Sequence, residues 1–180
     1  MKSLSCLVKF ILPVVLIAGG CVFMDSSFAI EIKSSAFRDG EYIPVRYTGL
    51  GEDVSPPLSW SGAPEGTQSY CLIVDDPDAP MGTWDHWILY DIPKSKSSLE
   101  EGIPKEATLQ DGSKQGVNDF RDIGYDGPAP PPGKPHRYIF TLYALDAELG
   151  LEPGLNKESV LKSIKGHTIG KGKLTGLFKR

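Results

Sequence analysis

From residue 30 onward, apolar positions fall in short runs divided by loops rich in glycine and proline. Ile30-Glu31-Ile32-Lys33 alternates with a period of two, which predicts an opening strand. Tyr42 to Tyr47 is a second strand candidate. Ser55-Pro56-Pro57-Leu58-Ser59-Trp60 predicts an edge strand or an extended approach, because its two prolines cannot donate to a sheet interior. Ser69 to Asp75 and His86 to Ile92 are nearly continuous apolar runs, the pattern of strands buried on both faces. Arg137 to Leu145 is rich in aromatic and β-branched residues that suit a pleated surface, and Thr168 to Leu177 closes the series. One helix is predicted after Asn156, a fair N-cap: Val160, Leu161 and Ile164 share a face, and Gly166 stands where a left-handed terminal residue is favoured. A shorter helix is predicted near Ser98 to Glu101. Many strands with one or two peripheral helices make the expected fold mostly β, a β-sandwich.

The first 29 residues follow another pattern. Lys2 and Lys9 precede an apolar run, Phe10 to Ala18, that is shorter than the roughly 20 residues of a membrane helix. This predicts a signal peptide over residues 1–29 and one domain over residues 30–180, with no transmembrane span in the mature chain. Ser27-Phe28-Ala29 places small residues where a signal peptidase reads them, so cleavage is expected after Ala29. The alternative is Ala18-Gly19-Gly20 before Cys21, a lipoprotein-like motif whose Ala18 stands where leucine is usual; it would anchor the chain through a lipid on Cys21. Either route predicts export, to the periplasm or beyond.

Composition narrows the classes. With residues 1–29 removed, 17 basic and 22 acidic side chains remain, a formal charge of −5, so no basic surplus exists to bind nucleic acid. Cys71 is then the one cysteine left, within the apolar run Tyr70-Cys71-Leu72-Ile73-Val74. It predicts a buried, inert thiol and excludes an intramolecular disulfide.

Three segments carry candidate chemistry. Val74-Asp75-Asp76-Pro77-Asp78-Ala79-Pro80 sets carboxylates at the exit of a buried strand, in a loop stiffened by two prolines. Such a loop either preorganises a binding site or is simply a turn capped by its own aspartates. Thr83-Trp84-Asp85-His86-Trp87 puts a histidine between indoles; in period two, Trp84 and His86 share one face, and Asp85 and Trp87 the other. It reads as an aromatic-walled pocket or as a core histidine bonded to a carbonyl. The run from Gly124 to Tyr138 holds glycines that permit close approach to a ligand and prolines that stiffen the loop, and it delivers His136 and Tyr138 to one face of the next strand. A proline-rich recognition peptide is the rival reading of that run.

Asp76-Pro77-Asp78-Ala79-Pro80, His86-Trp87, Gly127-Pro128 and His136-Arg137-Tyr138, in this order, resemble the two signature regions of the phosphatidylethanolamine-binding proteins, also called Raf kinase inhibitor-like proteins. Asn118-Asp119-Phe120, Gly166-His167 and Gly170-Lys171-Gly172 resemble the short bacterial branch, and the likeness spans nearly all of residues 30–180. It implies a sandwich of two antiparallel sheets in Greek-key order and one pocket for phosphate, phosphorylated headgroups or small carboxylates. By position, Asp76, His86, His136 and Tyr138 would line that pocket, with Ala79, Pro80, Trp84, Gly127 and Pro128 as its walls. The bacterial branch lacks the C-terminal helix of animal members, so their kinase partners are not carried over.

The chemistry of these residues suits a binder. Histidines and a tyrosine can donate to an anion, and Asp76 would fix one imidazole. No Gly-x-Ser-x-Gly elbow is present, and the expectation is a non-enzymatic protein with no cofactor and no metal. Three readings compete: an inhibitor or interaction protein presenting the pocket rim to a protein partner, a hydrolase using His86 and His136, and a zinc site of Asp76, His86 and His136. Nothing in the sequence identifies a protein partner or decides against a homodimer.

Overall fold

The computed structural model describes residues 28–180. The basic start of the chain, its apolar run and Cys21 lie outside the described residues.

Nine strands and one helix follow in order: β1 (Phe28–Ala29), β2 (Glu31–Lys33), β3 (Leu58–Ser61), β4 (Ser69–Asp76), β5 (Trp84–Pro93), β6 (Ser98–Leu99), β7 (Lys114–Gln115), β8 (His136–Leu145), α1 (Lys157–Ile164) and β9 (Thr168–Phe178). The larger sheet has the order β1-β9-β8-β4-β5-β7 and the smaller β2-β3-β6. All pairings are antiparallel except that of β1 with β9.

The apolar runs explain the layering. On β4, Tyr70, Leu72 and Val74 face the smaller sheet, where they meet Trp60, Leu58 and Leu99. Cys71 and Ile73, in alternation, face the other way and pack with Val160 and Ile164 of α1. A strand covered on both faces has no polar alternation, which is why Ser69 to Asp75 reads as one apolar run. Cys71 is fully buried, and burial pushes its thiol up. The α1 cap forms as expected, with Asn156 Oδ1 accepting the Ser159 N–H at 3.0 Å.

Two expectations fail locally. Ser98–Leu99 is a strand, not a helix: it pairs with Leu58–Ser59 and buries Leu99. The sandwich therefore has one α-helix among the described residues. Tyr42 to Tyr47 is not a strand; Val45–Tyr47 forms a 3-10 turn after Pro44, and Tyr42 makes one isolated bridge to Leu177. Phe28 and Ala29, the last residues of the expected signal peptide, pair with Gly170 and Lys171, and the Ile30 N–H continues to the Lys171 carbonyl at 3.2 Å. Without them that stretch of β9 would expose unpaired backbone groups.

One irregularity positions the site. Val74 pairs with Trp87 but Asp75 with Asp85, so His86 is an extra residue in β5. This bulge resets the alternation. Asp85 meets Lys157 on the helix side, whereas Trp87 is in the inter-sheet core. The expectation that Asp85 and Trp87 share a face is thereby overturned.

Candidate anion-binding site

The inter-sheet core opens at one end into a cavity of about 500 Å³. The strands that bury Val74, Phe140 and Leu142 in that core continue, on the same face, into Asp76, Tyr138 and His136. Neighbouring β5 contributes Trp84 and, through the bulge, His86. Asp76, His86, His136 and Tyr138 are all less than one-tenth exposed.

At the end of β4 and in the proline-rich loop that follows, Asp75, Asp76 and Asp78 each find a different partner. Asp75 accepts from Lys157 at 3.2 Å, behind the sheet. Asp78 binds Arg137 through two side-chain bonds of 2.7 and 2.8 Å and accepts the Arg137 backbone N–H at 3.0 Å. The guanidinium holds the Asp78 carboxyl down at about 2. Asp76, between them, turns inward: Oδ1 accepts the Asp78 N–H at 2.8 Å and Oδ2 lies 2.7 Å from His136 Nδ1.

His86 is clamped by the backbone of Asp126. Its Nδ1 lies 2.6 Å from the Asp126 carbonyl oxygen, and its own carbonyl accepts the Asp126 N–H at 3.1 Å. Burial lowers the pKa of His86, against the opposing pull of the Asp126 carbonyl and of the carboxylates of Asp76, Asp126 and Asp119. Neither imidazole Nε2 has a hydrogen-bond partner among the described residues. The Tyr138 hydroxyl and the Trp84 indole N–H are buried donors that also lack one. Burial, and then the Asp76 carboxylate, raise the Tyr138 phenol well above its ordinary range.

Apolar groups form the walls. Trp84, Phe120, His86 and Tyr138 make an edge-to-face chain with successive ring centroids 5.5, 5.3 and 5.1 Å apart. Phe120 sits on a turn built by buried Asn118, whose Oδ1 accepts the N–H groups of Phe120 (2.9 Å) and Asp122 (3.1 Å). Ala79, Pro80 and Met81 from the loop after β4, Ala129, Pro130 and Pro131 from the loop before β8, and Arg180 complete the lining.

Seven of the nine residues expected at the pocket therefore line it: Asp76, Ala79, Pro80, Trp84, His86, His136 and Tyr138. Gly127 and Pro128 do not. A Cβ on Gly127 would fall 2.5 Å from the Tyr47 carbonyl oxygen, so that glycine serves a close backbone crossing behind the wall. The Pro128 carbonyl accepts the Gly49 N–H at 3.0 Å. Met81, Phe120, Ala129, Pro130, Pro131 and Arg180 line the pocket too and were not anticipated there; the Asn118-Asp119-Phe120 motif and the proline-rich run before His136 were the available signals. Asp76, His86 and His136 do not form a metal cage, since no cluster of three or more potential ligands occurs among the described residues.

A buried Asp–His pair thus stands at the open end of a two-sheet sandwich, flanked by stiff proline loops. Residues 33–179 match the family model for phosphatidylethanolamine-binding protein, and the chain belongs to that family. It is 52% identical over 151 residues to a UPF0098 protein of Methanothermobacter thermautotrophicus, covering 84% of this chain and 99% of that one. A UPF0098 protein of Aquifex aeolicus is 45% identical over 165 residues, 91% of this chain and 92% of the other. Among solved structures, Escherichia coli YbcL, described as a new member of the mammalian family, superposes with a TM-score of 0.78 at 32% identity, covering 84% of this chain and 98% of its own. A Chlamydia trachomatis protein described as a homologue of the family gives 0.77 at 40%, over 86% and 99%.

Proposed function

We propose that this chain binds a small anionic group, a phosphate, a phosphorylated headgroup or a small carboxylate, in the cavity beneath Asp76 and His136, and that it does so without turnover. The observation that carries the reading is the convergence of Asp76, His86, His136 and Tyr138 from three neighbouring strands onto one cavity. Polar groups cover its floor, and rings and prolines its walls, the make-up of sites that seat a polar head and shelter an organic remainder. The lining holds no serine, threonine, cysteine or lysine that could serve as a nucleophile. The family's name specifies a phospholipid, which agrees with phosphate as the chemical group bound and not with any one of its ester or protonation forms. Lys2, Lys9 and the apolar run to Ala18 support export.

Calorimetric titration of the full chain with inorganic phosphate and with acetate, near pH 6 in the imidazole range, tests this reading. One equivalent should bind, and His136→Ala should weaken binding about tenfold or more. Failure of both anions to bind would overturn it.

One observation favours a second reading. Met81 is 93% exposed and Phe120 41%, and both line the cavity. Apolar side chains offered to solvent at a rim suit a protein partner that reads the pocket's edge.

A further inference from the structure

The geometry points to a ligand that brings its own hydrogen: the cavity takes an oxyanion carrying an O–H, such as hydrogen phosphate or a hydrogen phosphate monoester, in preference to sulfate or a phosphodiester. This rests on the anion-binding reading above and narrows its substrate class.

The argument starts from the tautomers. A backbone carbonyl has no proton to give, so the 2.6 Å contact of His86 Nδ1 with the Asp126 oxygen requires the proton on Nδ1. The Asp76 carboxylate, already accepting the Asp78 N–H, requires the same of His136 Nδ1 at 2.7 Å. A neutral imidazole with Nδ1–H carries a lone pair on Nε2. Both rings line the cavity, and neither Nε2 is bonded to protein among the described residues. The cavity therefore presents an acceptor at His86 Nε2, and a second at His136 Nε2 whenever that ring is neutral.

Sulfate and a phosphodiester offer lone pairs alone, and set lone pair against lone pair. The O–H of hydrogen phosphate satisfies such an acceptor. The other route to pairing is a second proton on each ring. His86 faces the Asp126 carbonyl, the carboxylates of Asp76, Asp119 and Asp126, and the Tyr138 hydroxyl. His136 faces the carboxylates of Asp76 and Asp78. Arg180 is the one permanent cation in the lining, so an arriving anion meets Asp76 with little compensation. Burial opposes charge on His86 despite its carboxylates. At neutral pH the ligand is the cheaper proton carrier. The Tyr138 hydroxyl and Trp84 N–H are buried, uncharged donors without hydrogen-bond partners, in residues that line the same cavity.

Hydrogen phosphate and sulfate make a clean pair: both are tetrahedral dianions, and they differ by one proton. Calorimetric titration of the full chain with inorganic phosphate, sulfate and dimethyl phosphate at about pH 7.5 should give phosphate an affinity about tenfold or more above the other two. Toward about pH 5.5 the gap should begin to narrow as His86, whose pKa burial lowers, starts to take a second proton and become a donor. Affinities within about twofold at the higher pH, or binding confined to the lower pH, would overturn the inference and leave the anion site standing. Absence of binding at both pH values would overturn the anion-binding reading itself, and this inference with it. Asp76→Asn gives a second test, because a carboxamide can donate to His136 Nδ1 and so move the ring's proton to Nε2. Sulfate should then gain on phosphate; an unchanged ratio in a variant that melts normally would count against the proposal. Nitrogen-15 spectra of the imidazoles give a readout free of ligand: protons on both Nδ1 atoms are expected, and a proton on either Nε2 of the neutral rings would overturn it.

Discussion

Burial works against charge at His86, and its effect on stability has a definite sign. The folded chain holds the His86 pKa below the value of about 6.5 that the unfolded chain has, so below that pH the folded state binds fewer protons. This term is zero above that value, and stability is lost as pH falls through it toward the lowered folded pKa. The urea midpoint of unfolding should fall across this window, and His86→Gln should flatten the slope; an equal slope in the two proteins would refute the assignment. Tyr138 calls for a different comparison. Its hydroxyl is buried without a partner, so Tyr138→Phe removes an unsatisfied group and should leave the melting temperature unchanged or raised, by up to about 1 kcal/mol of stability. The same change should weaken phosphate binding several-fold. Loss of stability with intact binding would mean that the hydroxyl serves the fold and not the ligand.

At the scale of elements, the ends of β4 and β5 are the critical pair. Asp75 and Asp85 lie directly opposite each other, where like charges repel. Lys157, the first residue of α1, bridges both. Its pKa is raised by its two carboxylate partners, which outweigh the burial that works to lower it. Lys157→Met should destabilise the chain by roughly 1–3 kcal/mol, less than a fully buried pair because the lysine keeps one-fifth of its side-chain exposure. Lys157→Arg should recover part of that loss in a thermal melt. The long strands were legible because strands buried on both faces must be continuously apolar. Ser98–Leu99 was not, because two residues carry no period and only their pairing with Leu58–Ser59 makes them a strand. The bulge at His86 was hidden for a related reason: period two cannot show where it is interrupted, and the interruption brings His86 to the cavity.

For the molecule as a whole, the site was legible in residue types and illegible in partners. Asp76, His86, His136 and Tyr138 announce themselves as polar groups at the ends of apolar strands. The partner of His86 is a backbone carbonyl, which any residue at position 126 would supply, so no side chain could reveal it. Arg180 joins the lining through the path of β9, which only the fold defines. Where the domain starts is likewise a question of packing. Ile30 and Ile32 are buried in the inter-sheet core, whereas Phe28 and Ala29 add one short parallel pairing to β9. A chain beginning at Ile30 keeps both isoleucines and the bond from the Ile30 N–H to Lys171, and it should match the stability of one beginning at Phe28 to within about 1 kcal/mol. A chain beginning at Ser34 loses both side chains, each worth about 1.5–3 kcal/mol, and strips β3 of a neighbour. Its denaturant midpoint should drop by an amount matching at least about 3 kcal/mol. Equal stability of the chains beginning at Ile30 and Ser34 would show that the sandwich closes without its first strand. A large loss between the chains beginning at Phe28 and Ile30 would instead make the β1 pairing part of the folded domain, and would count against cleavage after Ala29.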